Sequence, residues 1–291
     1  MDVLIIGNPI AGRGKAVGCI KQLQSALEQR GYKVGCHLTH GAGDAQARAA
    51  NIESHVRRIV SVGGDGTLNE ILNGLPDPTT VALAQLPMGT ANLLARELSL
   101  PRDPEAVADL VRAGRTRRVD MGLLGNRRFL SVASCGFDAM VIKYIQDHRT
   151  GRLGLTGYLW PILRTLVHYD PPRLRIRVDN QTVNGSLVVV SNSRHYGGLF
   201  SVTDRAICDS GQLDVVVFPS ACTSELMRYV IAARRRRVSQ LPRVPYLTGR
   251  QVQIEADEPV PIEVDGDFAG TTPAHMTIQP VAVSILVPEK P

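Results

Sequence analysis

Three glycine-rich runs have the composition of phosphate-binding loops. They are Asn8-Pro9-Ile10-Ala11-Gly12-Arg13-Gly14-Lys15, Gly63-Gly64-Asp65-Gly66-Thr67-Leu68-Asn69-Glu70 and Leu86-Pro87-Met88-Gly89-Thr90-Ala91-Asn92. Each follows a short apolar stretch and leads into a helical pattern. Glycine lets the backbone approach a ligand closely, and the N–H groups of a helix start point at an anion. Thr67 and Thr90 add hydroxyls at two of those starts. Taken singly, each run is also an ordinary loop with a Thr or Asn cap; three together favour a phosphate cradle. A P-loop fails, because Arg13-Gly14 stand where its Lys and hydroxyl residue belong. A dinucleotide fingerprint fails too: Gly12, Gly14 and Gly18 are spaced one residue too widely, and Cys36-His37-Leu38-Thr39 lacks the ribose-binding acid. Asp65 narrows the chemistry. A carboxylate between glycines repels a polyphosphate unless a cation separates them, which implies Mg²⁺ near the β and γ phosphates. The alternative is an Asp that caps the next helix.

The elements that must position these loops follow from periodicity. Apolar runs at 3–6, 34–38, 58–62 and 81–85 read as buried strands, and residues 15–29, 44–55, 67–73 and 91–97 read as helices between and after them. Such alternation implies βαβ units and a parallel sheet, whose ligands sit beyond the carboxyl ends of the strands. After about Asp120 the pattern changes to short strand-like runs at 129–133, 173–178, 186–191, 213–218, 251–256, 262–264, 275–278 and 281–287. Several alternate apolar and polar residues, as an antiparallel sandwich would. Helical patterns interrupt them at 158–168 and 224–237. The expected organisation is an α/β nucleotide-binding domain over 1–122 and a mainly β sandwich domain over 123–291, with the last strand free to return to the first domain.

Composition excludes other classes. The 291 residues are 44% hydrophobic and 21% charged, which is the balance of a globular protein with a full core. Five unpaired-looking cysteines read as reduced thiols, with no disulfide framework or zinc spacing. No run is long and apolar enough to span a membrane. The net charge of +6 is uneven: residues 127–250 carry +10 and residues 251–291 carry −6. Arg234-Arg235-Arg236-Arg237, after an apolar stretch from 226 to 233, suits an anionic membrane surface, and Trp160 in Tyr158-Leu159-Trp160-Pro161 an interfacial or acyl-chain contact. A solvated helix end and a core aromatic are the plainer readings. Nucleic acid is not an expected partner, since aromatics are 4% of the chain and no basic–aromatic interleaving appears.

With Asn8-Pro9…Gly12-x-Gly14, Gly63-Gly64-Asp65-Gly66-Thr67-Leu68-Asn69-Glu70 and Leu86-Pro87-x-Gly89-Thr90-x-Asn92, the first half resembles the diacylglycerol-kinase catalytic domain, of the soluble bacterial lipid kinases related to sphingosine kinases and NAD kinases. Ser191-Asn192-Ser193…Tyr196-Gly197-Gly198, Ala206 to Val215 and Val264-Asp265-Gly266-Asp267 are similar to the family's C-terminal domain. The resemblance implies an ATP- and Mg²⁺-dependent kinase acting on a lipid hydroxyl, with ATP in the cleft between domains. Its contacts would be Asn8, Pro9, Ile10, Ala11, Gly12, Thr39, Gly64, Asp65, Gly66, Thr67, Leu68, Asn69, Glu70 and Thr90. The family's proton acceptor, a Glu, falls on Asp267, one methylene shorter. Asp265 would share its work or hold Mg²⁺, unless Asp265-Gly266-Asp267 is only a hairpin turn. A structural Mg²⁺ site maps to Ile207, Ser210 and Gln212 beside Asp209. The expected partners are a lipid substrate, a transient hold on the inner face of the anionic membrane from the cytoplasm, and a second copy in a homodimer. A NAD kinase-like enzyme and a catalytically silent lipid-binding protein are the alternatives.

Overall fold

A computed structural model describes residues 2–148 and 155–289. The chain divides into two compact units, Met1–Met121 with Val281–Pro291 and Gly122–Pro280.

The first unit holds β1 (Val3–Gly7), α1 (Ala16–Gln29), β2 (Val34–Leu38), α2 (Asp44–Ala50), β3 (Arg58–Gly63), α3 (Asp65–Gly74), β4 (Ala82–Pro87), α4 (Leu93–Glu97), α5 (Pro104–Ala113) and most of β5 (Thr116–Leu124). Its strands are parallel in the order β2-β1-β3-β4. Every residue of β1 is buried, as a strand covered on both faces must be. β2 lies on one side of β1 and β3 on the other, so the loops leaving β1 and β3 diverge across a topological switch point. The helix read at 44–55 stops at Ala50, because the Asn51 side chain turns back to donate to Ala47 O (2.9 Å). The one at 91–97 starts later, at Leu93, because Asn92 is left-handed at φ 50°.

The second unit continues with β6 (Arg127–Phe129), β7 (Val132–Cys135), α6 (Phe137–His148), α7 (Leu159–Val167), β8 (Leu174–Val178), β9 (Gln181–Gly185), β10 (Leu187–Ser191), β11 (Leu213–Phe218), α8 (Thr223–Arg234), β12 (Tyr246–Gly249), β13 (Gln251–Ala256), β14 (Pro261–Val264), β15 (Asp267–Thr271) and β16 (Ala274–Leu286). One antiparallel sheet runs β12-β11-β10-β7-β14-β15; the other runs β9-β8-β13 and then the first part of β16. Inward residues of both, Val188, Val190, Val215 and Val217 with Ile176, Val178, Val252 and Ile254, form one buried core, so this half is the expected sandwich. The runs read at 275–278 and 281–287 are a single strand, β16. Ala274–Thr277 pair with β13, while Ser284 and Ile285 pair in parallel with β4. Between them Val281 has φ 47°, a costly region for a β-branched residue, and its N–H donates to the fully buried Asp120 (Oδ1, 2.7 Å).

The strand read at 129–133 is broken in two at Leu130-Ser131. That segment is clamped from both sides. Asp265 takes its amides, while Ser191 Oγ donates to Ser131 O (2.8 Å) and Asn192 Nδ2 donates to Leu130 O (3.3 Å). The Ser191-Asn192-Ser193 motif is thus engaged in holding backbone.

Candidate active site

At the carboxyl ends of β1, β3 and β4 the three glycine loops are tied to one another. Gly12 N–H donates to Met88 O (3.0 Å), and Met88 N–H to Gly63 O (2.8 Å). Gly64 and Gly89 meet backbone to backbone: a Cβ on Gly89 would lie 2.4 Å from Gly64 Cα. Asn92 fastens the third loop, accepting Gly89 N–H at Oδ1 (2.9 Å) and donating from Nδ2 to Gly89 O (2.8 Å). Asp65, the first residue of α3, accepts the N–H of Leu93 at Oδ1 (2.7 Å). It therefore caps α4, the neighbouring helix.

The close approach of two backbones makes a sharp test. Gly89→Ala is expected to raise the ATP KM about tenfold or more and to lower the melting temperature, since inserted bulk costs roughly 1–3 kcal/mol where backbone must yield. Gly66→Ala is the control for steric room, because nothing lies within 4 Å of its added Cβ. Nucleotide titrations and thermal melts read both. A wild-type KM for Gly89→Ala would remove the loop contact from the nucleotide site.

The remaining positions read from the sequence are placed unequally. Asn8, Pro9, Ile10, Ala11 and Gly12 form the first loop, where Asn8 Oδ1 accepts Ile10 N–H (3.1 Å) and the Ile10 side chain stands exposed. Thr39 follows β2, its N–H on Gly7 O (2.9 Å). Gly64, Asp65, Gly66 and Thr67 make the start of α3, and Thr90 is exposed on the third loop. Three side chains turn elsewhere. Leu68 is 3% exposed and belongs to the core. Asn69 is buried and accepts from Asn73 Nδ2 (2.9 Å). Glu70 accepts Gly43 N–H (3.0 Å) and Ala45 N–H (3.2 Å), which caps α2. The turn of α3 carries these three away from the loop mouth, so their side chains support the cradle and do not line it.

The donor set fits a cation that arrives with a nucleotide. Mg²⁺ is commonly bound by one or two carboxylates plus substrate phosphates, and Asp65 supplies one half-buried carboxylate among loop amides. No group of three metal-binding side chains occurs among the described residues. The second metal expectation falls on a turn that holds itself together. Ser210 N–H donates to Ile207 O (3.1 Å), and the Ser210 hydroxyl donates to Gln212 O (3.2 Å). The turn stands beside a groove of about 320 Å³ that Arg205 and Asp214 both line. Ile207, Ser210 and Gln212 take no part in the mechanism below.

In the second unit Asp265 and Gly266, at φ 49° and 90°, form the two-residue turn between β14 and β15, a primed hairpin of the kind Asp-Gly favours. Asp265 does not stand ready for a substrate. Its carboxylate accepts the N–H groups of Leu130 (3.1 Å), Ser131 (3.1 Å) and Val132 (2.9 Å). Asp267 is different: its side chain is 62% exposed, with Arg127 Nη2 3.4 Å from Oδ2. Arg127 Nη1 also donates to Phe268 O (3.0 Å), which fixes the guanidinium beside the carboxylate.

Beneath this turn lies a cluster that sequence reasoning misses. Glu263 and Ser134 are cross-strand neighbours on β14 and β7, and both are buried. Ser134 Oγ and Glu263 Oε1 share a hydrogen bond (2.9 Å), and Gly266 N–H donates to Glu263 Oε2 (2.8 Å). Ser134 also reaches Asp138 in the first turn of α6, and Tyr196 O–H donates to Asp138 Oδ2. Burial raises the Asp138 carboxyl above its ordinary range and pushes Glu263 well above it, with Asp138 repelling further ionisation of Glu263. The one sequence signal is an acid at 263 alternating with apolar Ile262 and Val264 in a core strand.

Comparison with known proteins agrees with this architecture. The model of the diacylglycerol kinase catalytic domain matches residues 2–124, and that of the YegS C-terminal NAD kinase beta sandwich-like domain matches residues 131–287. A diacylglycerol kinase from Bacillus subtilis is 27% identical, over 98% of this chain and 96% of its own. One from Staphylococcus epidermidis is 27% identical over 98% of this chain and 92% of its own. Among solved structures, a diacylglycerol kinase from Bacillus anthracis superposes with a TM-score of 0.79 at 24% identity, covering 99% of this chain and 97% of that one. An NAD kinase from Archaeoglobus fulgidus in complex with ATP shares the fold more distantly, with a TM-score of 0.57 at 15% identity over 98% and 93% of the two chains. An α/β unit with three joined glycine loops, followed by a β sandwich that carries an Asp-Gly-Asp hairpin, agrees with both matches, and the chain belongs to the diacylglycerol kinase-like family of phosphotransferases.

Proposed function

We propose that this protein transfers the γ-phosphate of ATP to the hydroxyl of a lipid, with diacylglycerol as the substrate that the relatives' names supply. The observation that carries the reading is the joining of three glycine loops at the carboxyl ends of β1, β3 and β4 with Asp65 at a helix start among them. Phosphoryl transfer asks a protein mainly for positioning and charge compensation. The amides of the first turn of α3 bind the phosphates, Gly12 and Gly89 let the backbones of their loops come close, and Thr67 and Thr90 add hydroxyls. Asp65 would hold Mg²⁺, which when bound neutralises charge on the β and γ phosphates. In the second unit Asp267 takes the proton of the lipid hydroxyl, Arg127 orients it, and Asp265 holds the turn by its backbone clamp. Incubation with labelled ATP and diacylglycerol in mixed micelles, with NAD in a parallel reaction, tests this. Label in NAD alone, or in neither, would sink the lipid reading.

The lipid must be met at a surface, and two helices present apolar residues outward. On α7 these are Leu159, Trp160, Leu163 and Val167; on α8, Met227, Val230 and Ile231. The outward stripe of α8 leads directly into Arg234–237, which are exposed and without ion pairs among the described residues. Each basic side chain near an anionic bilayer is worth about 1 kcal/mol, so replacing the four by Gln is expected to weaken binding to phosphatidylglycerol vesicles by roughly 10²-fold or more. Co-sedimentation with phosphatidylglycerol and with neutral phosphatidylcholine vesicles measures it. Equal binding of both proteins to anionic vesicles would place the contact elsewhere. Among the described residues no helix is long and apolar enough to cross a membrane.

A further inference from the structure

The buried acid under the hairpin has no place in the mechanism above, yet it touches the backbone of the turn that presents Asp267. Two carboxylates, Glu263 and Asp138, approach one hydroxyl, that of Ser134, in a region where Glu263 is 3% and Ser134 0% exposed. Both cannot ionise at low cost in such surroundings. Hydrogen-bond inventory decides where the charge rests. Asp138 has three donors, the Tyr196 hydroxyl, the Ser134 hydroxyl and Ala139 N–H (2.9 Å). Glu263 has the Gly266 amide and the contact with Ser134. The arrangement that satisfies every group puts a proton on Glu263 Oε1. Glu263 then donates to Ser134 Oγ, Ser134 donates to ionised Asp138, and Glu263 Oε2 remains an acceptor for Gly266 N–H.

We propose that Glu263 is the positioning residue of the acceptor turn: as a neutral acid, linked through Ser134 to Asp138, it holds the Gly266 amide and so sets the place from which Asp267 works. The groups facing it are Asp138, Ser134, Tyr196 and Asp265. The register supports the assignment. Glu263 stands opposite Ser134 across the β14–β7 pairing, with a shift in the β14–β15 pairing between Ile262 and Glu263. The extra residue, Ala269, lies on β15, so β14 keeps its alternation and Glu263 stands on the face opposite the core residues Ile262 and Val264, three residues before Gly266. The sequence separates the two ends of the network by 129 residues, and only the strand pairing unites them.

The proposal rests on the assignment of Asp267, and the test separates the two. Glu263→Gln keeps one acceptor and one donor and no charge, the pattern of the neutral acid, so it should retain at least about a third of kcat on dioctanoylglycerol micelles. Glu263→Ala should lose about tenfold or more in kcat with the ATP KM changed less than about twofold, the scale of a lost buried hydrogen bond. Hydrogen exchange across 265–268 should quicken in Glu263→Ala and not in Glu263→Gln, a readout that needs no substrate. If Glu263→Ala does not fold, Ser134→Ala must lower kcat and quicken the same amides. A Gln variant as impaired as the Ala variant, or an Ala variant with wild-type kcat and exchange, overturns the proposal. A fully active Asp267→Asn measured alongside would instead overturn the assignment of the base, while the exchange result would still judge the link from Glu263 to Gly266.

Discussion

Asp65→Asn is expected to lower kcat by about 10³ while leaving the fold intact. The two roles of this side chain make the substitution informative. Its Oδ1 accepts the N–H of Leu93 at 2.7 Å, and an amide oxygen can do the same, so the cap on α4 survives. What disappears is the negative charge. A cation on the β and γ phosphates contributes several kcal/mol of charge stabilisation, and about 4 kcal/mol corresponds to that rate loss. Asp65→Ala removes the cap as well, and should add a stability loss of about 1 kcal/mol. Thermal melts and steady-state rates over a Mg²⁺ titration distinguish the cases. The Asn variant should melt like the wild type, turn over slowly and need more Mg²⁺. The Ala variant should show both defects. An Asn variant with the wild-type rate and Mg²⁺ dependence would reduce Asp65 to a cap, the alternative that its sequence context already leaves open.

The limits of reading this chain from sequence follow from which forces act locally. Buried parallel strands announce themselves as apolar runs, and β11 and β13 occur at the bounds their patterns mark because alternation and turns are local. The helix α5 escapes the periodicity reading, yet it carries the usual punctuation: Asp103 Oδ2 accepts Ala106 N–H, Pro104 follows at the first helical position, and Gly114 closes it at φ 66°. The division of 129–133 is illegible for another reason. Nothing in Leu130-Ser131 breaks a strand; the break is imposed by Asp265, Ser191 and Asn192 from 60 and more residues away. The site divides the same way. Glycine loops are visible because the chemistry is in their composition. That Leu68, Asn69 and Glu70 support the cradle while Asp65 lies at its mouth depends on the rotation of α3, and the Glu263 network depends on strand pairing alone.

Asp267→Asn carries the second large effect, a fall in kcat of about 10² with little change in the ATP KM or in stability. General bases contribute roughly 10²–10⁴, and the low end applies here. A loose phosphoryl-transfer transition state leaves little bond formation to the attacking oxygen when the proton departs, so the base matters less than it would in acyl transfer. Stability should hold because the side chain is 62% exposed and its contact with Arg127, at 3.4 Å, is a surface ion pair, worth little in water. The exposure also bears on length. Asp reaches one methylene less far than the Glu of the family pattern, but an exposed carboxylate at the first residue of β15 has room to lengthen. Asp267→Glu is therefore expected to keep at least about a tenth of the wild-type kcat, where a tightly packed acid would lose far more. The three proteins are compared at saturating ATP over a range of micellar diacylglycerol. If Asn matched the wild type, the proton would be leaving by another route, and if Glu were as slow as Asn, the short side chain would itself be the requirement. A fast Glu variant beside a slow Asn variant would identify a base defined by its charge and tolerant in its reach.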